Sequence, residues 1–346
     1  MPALSRPHER ALTLLFEELA ALASAQGQLL LGTPGTLAER RNAQGTRYWV
    51  HRYSDAAGRR REDYIGVVGE RDVEARLNAL RARIDAAGAA IASVRLLARA
   101  GYATVDRKAY FTLASLHNNG LFEAGAFVIG SHAFGALLNS LGVRGVGYAT
   151  EDVDIARRGA LAVPELPSFI EMLRATGIEF FEVPSLNRRK ASASFAERGG
   201  SRLRVDLLVP SPNDDYPVVA VPELKAHAKG LPYLAYLLGA SQMVPALSVH
   251  GVVMIRVPVP ERYAVHKLIV SQLRGTTSSK PEKDLGQAAT LFDALAERFP
   301  GAIEDAMKAA PKSASRHLTR ALKALKAHLP STAEAAWDAL GHDRSG

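Results

Sequence analysis

The chain has 346 residues, 47% of them hydrophobic and 23% charged, an ordinary globular balance with length for one large domain or two to three modules. It contains no cysteine, which excludes disulfides, thiol catalysis and Cys-ligated zinc. A formal net charge of +8 favours a polyanionic partner, and no apolar run approaches the roughly 20 residues that span a bilayer. The N-terminus has charges within its apolar helix and no signal-peptide pattern, so a bacterial-style cytoplasmic protein is expected.

Residues 7–26 predict an amphipathic helix, with Leu12, Leu15, Phe16, Leu19 and Leu22 at helical spacing. Residues 36–67 predict a three-stranded antiparallel meander, with turns at Gln44-Gly45 and at 55–58. Arg40, Arg41, Arg47, Arg52, Arg59, Arg60 and Arg61 alternate there with Tyr48, Trp49, Tyr53 and Tyr64. Arginine for phosphates and aromatics for stacking is the composition of a nucleic-acid surface, and equally of a solvated sheet face over an aromatic core. Helices are expected over 70–100 and 107–118, the second ended by Asn119-Gly120.

The stretch from Phe127 to Arg157 carries the chemistry. A buried strand over 126–129 runs into a Gly130-Ser131 turn and a short helix. After a Gly-rich loop comes a strand with Asp152 and Asp154 on one face and Val153 and Ile155 on the other. Two carboxylates on one face repel unless a cation sits between them, which suits Mg²⁺ and its hard oxygen ligands. A Gly-Ser turn at a helix N-terminus suits a phosphate, because its backbone N–H groups have no helical partner. Glu151 faces away from the two aspartates. His132 and His266 fit either phosphate contacts or structural histidines.

Further on, Ser168 caps a helix to 176, 178–183 is a strand, and 186–198 is a basic loop or strand edge. Residues 202–209 form an apolar strand that contains Asp206. A loop over 210–217, apolar residues over 218–221 and a short apolar segment over 231–238 follow. A strand over 252–257 then reaches a proline-marked boundary at 258–260. Helices are expected over 263–273, 282–299, 303–309, 313–328 and 332–340. Arg316, Arg320 and Lys323 share a face, either solvated or a groove for RNA or an acidic partner. The expected domains are 1–100, 101–258 and 259–346. There is no P-loop, no G-x-S-x-G elbow and no H-E-x-x-H, and the G-x-G in VRGVGYA precedes a strand instead of following one.

GSHAF followed by TEDVDIA resembles the Gly-Ser plus Asp-x-Asp signature of the DNA-polymerase-β-like nucleotidyltransferase superfamily. The layout is similar to a bacterial branch of it, through Tyr48-Trp49, Tyr64-Ile65-Gly66, His266-Lys267-Leu268 and Lys283-Asp284-Leu285. The likeness runs from about Gly35 to about Leu295, with a longer gap between Gly-Ser and Asp-x-Asp than in minimal members. The resemblance implies an α/β (α+β) fold: a mixed-sheet core, an N-terminal β-meander and a C-terminal helical domain. It implies metal ligation and catalysis by Asp152, Asp154 and, on the later strand, Asp206. Gly130 and Ser131 would take the β- and γ-phosphates. Lys267 would reach the triphosphate, with Lys283 and Asp284 as alternatives or as an ion pair. The implied cofactor is Mg²⁺ or Mn²⁺ with an NTP as substrate. The hydroxyl acceptor is expected to be RNA such as tRNA, with a toxin or defence role and an antitoxin partner by analogy. A protein nucleotidylase of the AMPylase kind, and a non-catalytic nucleic-acid-binding protein on the same fold, are the alternatives.

Overall fold

The computed structural model describes residues 4–146, 150–162, 166–184, 191–199, 203–212, 215–273 and 280–341. The architecture is mixed α/β. The meander forms as strands Thr36–Arg41, Arg47–Ser54 and Arg60–Val67. The flanking helices are Arg10–Ala25 and the 29-residue Arg71–Arg99. Phe16 and Leu19 of the first helix pack with Val94 and Leu97 of the second, which is what their helical spacing is for.

The central sheet runs in the order Val218–Val221, Ala226–Leu231, Arg204–Pro210, Asp152–Arg157, Ala126–Ile129. Arg204–Pro210 pairs in parallel with Asp152–Arg157 on one edge. Its other edge is shared: Ser194–Glu197 pairs antiparallel with its first half, and Ala226–Leu231 pairs in parallel with its second. Phe180–Glu182 extends the sheet beyond Ser194–Glu197. Val153, Ile155, Val205 and Leu207 are buried to 1% exposure or less. Each contributes about 1.5–3 kcal/mol by burial, which locks the alternation and fixes which face the aspartates take.

Two of the longer strands escaped the sequence reading. Ala226–Leu231 was hidden by its His, Lys and Gly. Ser241–Ser248 contains Pro245, and it pairs with Gly251–Pro258 in a hairpin across the Val249-His250 turn. The apolar segment expected over 231–238 divides between the end of one strand and a one-turn helix, Leu234–Leu237. Of the basic stretch 186–198, residues 186–190 lie outside the described residues, and Ser194–Glu197 is a paired strand. Part of the VRGVGYA loop, 147–149, is also outside them. Its start, Val143–Arg144, pairs with Arg6–Pro7.

After Pro258 the chain is helical: Pro260–Ser271, Lys280–Ala296, Ala302–Lys308, Ser315–Leu325 and Glu334–Ala339. One hydrophobic cluster joins these helices to the sheet, including Phe127, Val153 and Phe134 with Tyr263, Leu285 and Phe292.

In the meander, register decides what the arginines do. Cross-strand pairing sets Arg40 and Arg52 against Glu62, and Arg47 against Glu39. Arg59 and Arg61 both hold Asp55. Five of the seven arginines singled out in the sequence are therefore in ion pairs, and the face carries far less unpaired positive charge than its composition suggests. Asp55 is also the anchor to the rest of the protein. It is buried, and Arg107 donates to the backbone carbonyl of the same residue at 2.6 Å. Burial alone would raise its carboxyl, but the Arg59 N–H and the Arg61 and Arg59 guanidinium groups outweigh that and hold it below the usual range. Asp55→Asn should cost about 2 kcal/mol in urea unfolding at pH 7. The cost should shrink on acidification below about pH 4, because a depressed folded-state value adds stability only while the carboxyl is ionised.

Candidate active site

The strand Ala126–Ile129 is antiparallel to Asp152–Arg157, with Ile129 opposite Asp154. The chain must then leave the sheet and enter helix Gly130–Ser140 within one residue. Gly130 makes the bend at φ +68°, a left-handed conformation that side chains disfavour. A Cβ there would also overlap the Asp154 carboxylate. The Gly-Ser turn and the acidic strand therefore meet at a point where only glycine fits. Gly130→Ala should both strain the turn and push Asp154 aside. Activity assays should show a loss of at least about a hundredfold, with a drop of about 1–3 kcal/mol in stability.

Parallel register puts Asp206 beside Asp154 and Arg204 beside Asp152. Neighbouring strands lie about 4.8 Å apart, so the three carboxylates share one patch of one face. Asp152 is exposed; Asp154 and Asp206 are partly buried. Burial first, and then the Asp206 carboxylate, push Asp154 up to about 6, against the pull of Lys267. Burial also raises Asp206, opposed by a hydrogen bond from the Ser194 hydroxyl and by Arg204. Ser194 and Arg204 were missed in the sequence. Arg204 follows from alternation once Asp206 is chosen, whereas Ser194 requires the antiparallel pairing of Ser194 with Asp206, which no local signal gives.

Crowded carboxylates, two of them raised chiefly by burial, make a set of hard oxygen donors suited to magnesium or manganese. Among the described residues no three His, Asp or Glu side chains are already drawn together as a ligand set. The aspartates thus share the face and the chemistry without a closed cage.

The C-terminal helices reach this patch. The Tyr263 hydroxyl donates to the Gly130 carbonyl at 2.8 Å. One turn on, Lys267 is buried, with its ammonium 2.7 Å from Asp284 and above the Tyr263 ring at 5.2 Å. Asp284 thus pairs with Lys267 of the facing helix. Lys267 opposes the rise of the Asp154 carboxyl. His132 is buried and, by desolvation first, its pKa is lowered to about 4. It is neutral at pH 7 and makes no cationic phosphate contact. His266 is buried in its helix.

A family model described as nucleotidyltransferase matches residues 109–311, more than half of the chain. The chain belongs to the nucleotidyltransferase family. The match begins in helix Arg107–Asn118 and ends after Ala302–Lys308, so it takes in the Gly-Ser turn, all three aspartates and Lys267. The meander and the helix Ser315–Leu325 of this nucleotidyltransferase lie outside it. No curated protein and no solved structure matches the chain. Among the described residues no helix is long and apolar enough to cross a membrane.

Proposed function

We propose that this nucleotidyltransferase is of the polymerase-β-like kind and moves NMP from an NTP to a hydroxyl of RNA, with release of pyrophosphate. The observation that carries the reading is the register of Asp154 with Asp206, on the face where Gly130 meets the Asp154 carboxylate. The N–H groups of the first turn of helix Gly130–Ser140, with the Ser131 hydroxyl, hold the β- and γ-phosphates. Asp152, Asp154 and Asp206 are the side chains that would hold magnesium or manganese. When bound, such a cation supplies charge against the triphosphate and acidifies the attacking hydroxyl. The acceptor oxygen attacks the α-phosphorus, and the bond from that phosphorus to the bridging oxygen breaks. Asp206 takes the acceptor proton, with Ser194 holding its other oxygen.

RNA as acceptor is supported by charge away from the meander. Arg316 and Arg320 on helix Ser315–Leu325 line a groove with Tyr233 and His317. Neither arginine has an acidic partner among the described residues. An RNA-modifying toxin or defence enzyme of the cytoplasm, with an antitoxin, is the biological setting that this chemistry suits.

The test is incubation with magnesium, each labelled NTP and total RNA. Label should enter RNA, vanish in Asp152→Ala and Asp206→Ala, and fall at least about tenfold in Arg316→Glu/Arg320→Glu. Label on protein that resists RNase would overturn the RNA acceptor in favour of a protein nucleotidylase. RNA binding without incorporation from any NTP would leave a non-catalytic binder on the transferase fold.

A further inference from the structure

A cavity of about 430 Å³ flanks the Gly-Ser helix, between that helix, the segment 101–106 and the hairpin strand Ser241–Ser248. Its size falls within the roughly 300–1,000 Å³ of small-molecule sites. Val105, Leu138 and Leu247 form apolar walls, while Ser131, His132 and Thr150 form a polar end. Thr150 lies two residues before Asp152, and its hydroxyl accepts from the Asp152 N–H. Ser131 belongs both to the Gly-Ser turn and to the cavity lining. Asn139, another polar lining residue, is fully used by the backbone of Ala103, to which it donates and from which it accepts.

His132 is different. It is 7% exposed, and its Nε2 is buried without a hydrogen-bond partner among the described residues. A buried polar atom left without a partner costs about 1–3 kcal/mol, a cost that a bound ligand would remove. The imidazole is neutral here, so it offers one hydrogen bond and no charge. Apolar walls, with Asp106 and Arg144 also in the lining and the neutral His132 next to Ser131 of the Gly-Ser turn, match a nucleoside triphosphate laid with its phosphates at Ser131.

We propose that this cavity is the nucleobase pocket of the enzyme and that His132 is the residue that hydrogen-bonds the edge of the base. The inference rests on the nucleotidyl-transfer reading and adds to it where the base goes and which residue reads it.

Binding without turnover tests it. Calcium replaces magnesium, and ATP, GTP, CTP, UTP and inorganic tripolyphosphate are titrated calorimetrically. Tripolyphosphate reports the phosphate turn alone. In the wild-type protein the preferred NTP should bind at least tenfold tighter than tripolyphosphate. In His132→Phe and in Leu138→Phe, which fills the cavity, that advantage should fall below about twofold while tripolyphosphate affinity holds. Azido-base nucleotides photolysed on the wild-type protein should label peptides containing 101–106 or 132–139, a readout that needs no variant to fold. An NTP advantage unchanged in both variants, label elsewhere, or wild-type NTP binding no tighter than tripolyphosphate would each overturn the pocket and leave nucleotidyl transfer standing. Failure of both ligand types to bind would overturn the transfer reading and the pocket with it.

Discussion

Asp154→Asn should lower nucleotidyl transfer by at least about a thousandfold and, at the same time, raise the melting temperature of the metal-free protein at pH 8. The first effect follows from losing one of three clustered carboxylates, since several kcal/mol of charge stabilisation corresponds to three or more powers of ten in rate. The second follows from crowding. Burial, Asp206 and Asp152 all raise the Asp154 carboxyl, from 3.8 to about 6. A folded-state value above the unfolded one means that the native state binds the extra proton between those limits. Stability therefore falls as pH rises from about 4 to about 6, and the full penalty is present above that. Asparagine has no charge to bury, so the two melting curves should converge near pH 4 and separate towards pH 8. Magnesium should raise the wild-type melting temperature and move the variant much less. A variant that melts at or below the wild type at pH 8 would show that the carboxylates are not strained against one another.

Lys267→Met should cost about 3 kcal/mol in denaturant unfolding, because it removes one member of a buried ion pair and leaves Asp284 without its lysine. Lys267→Met/Asp284→Asn should recover most of that loss, since the second change removes the carboxylate that the first left behind. The double variant separates two roles. If Lys267 also grips the triphosphate, the recovered protein should still show a KM for NTP at least about tenfold above wild type. If the pair only holds two helices together, stability and KM should return together. The same comparison bears on Asp154, which Lys267 pulls towards its ordinary value.

The central strands were legible because their signal is local. Val153 and Ile155 alternate with Asp152 and Asp154, and Val205 and Leu207 do the same around Asp206, so strand and facing come from the residues themselves. What escaped depends on partners distant in the chain. The arginines of the meander spell a basic surface until register places Glu39, Asp55 and Glu62 against them. That Lys267 pairs with Asp284 depends on helix packing that brings the two together across 17 residues. Ser194 carries no signal at all until it is paired with Asp206. Ala226–Leu231 has the composition of a loop, and tertiary pairing on both its edges makes it a strand.

The hydroxyl of Tyr263 reaches the carbonyl of Gly130 across 133 residues of chain. During synthesis the turn, the acidic strand and Asp206 all leave the ribosome before that tyrosine does. A nascent chain therefore carries the aspartates without the contact that braces the Gly-Ser turn, and it gains that contact only when helix Pro260–Ser271 docks. The turn beside Asp154 is therefore braced after the carboxylates it adjoins have already been made.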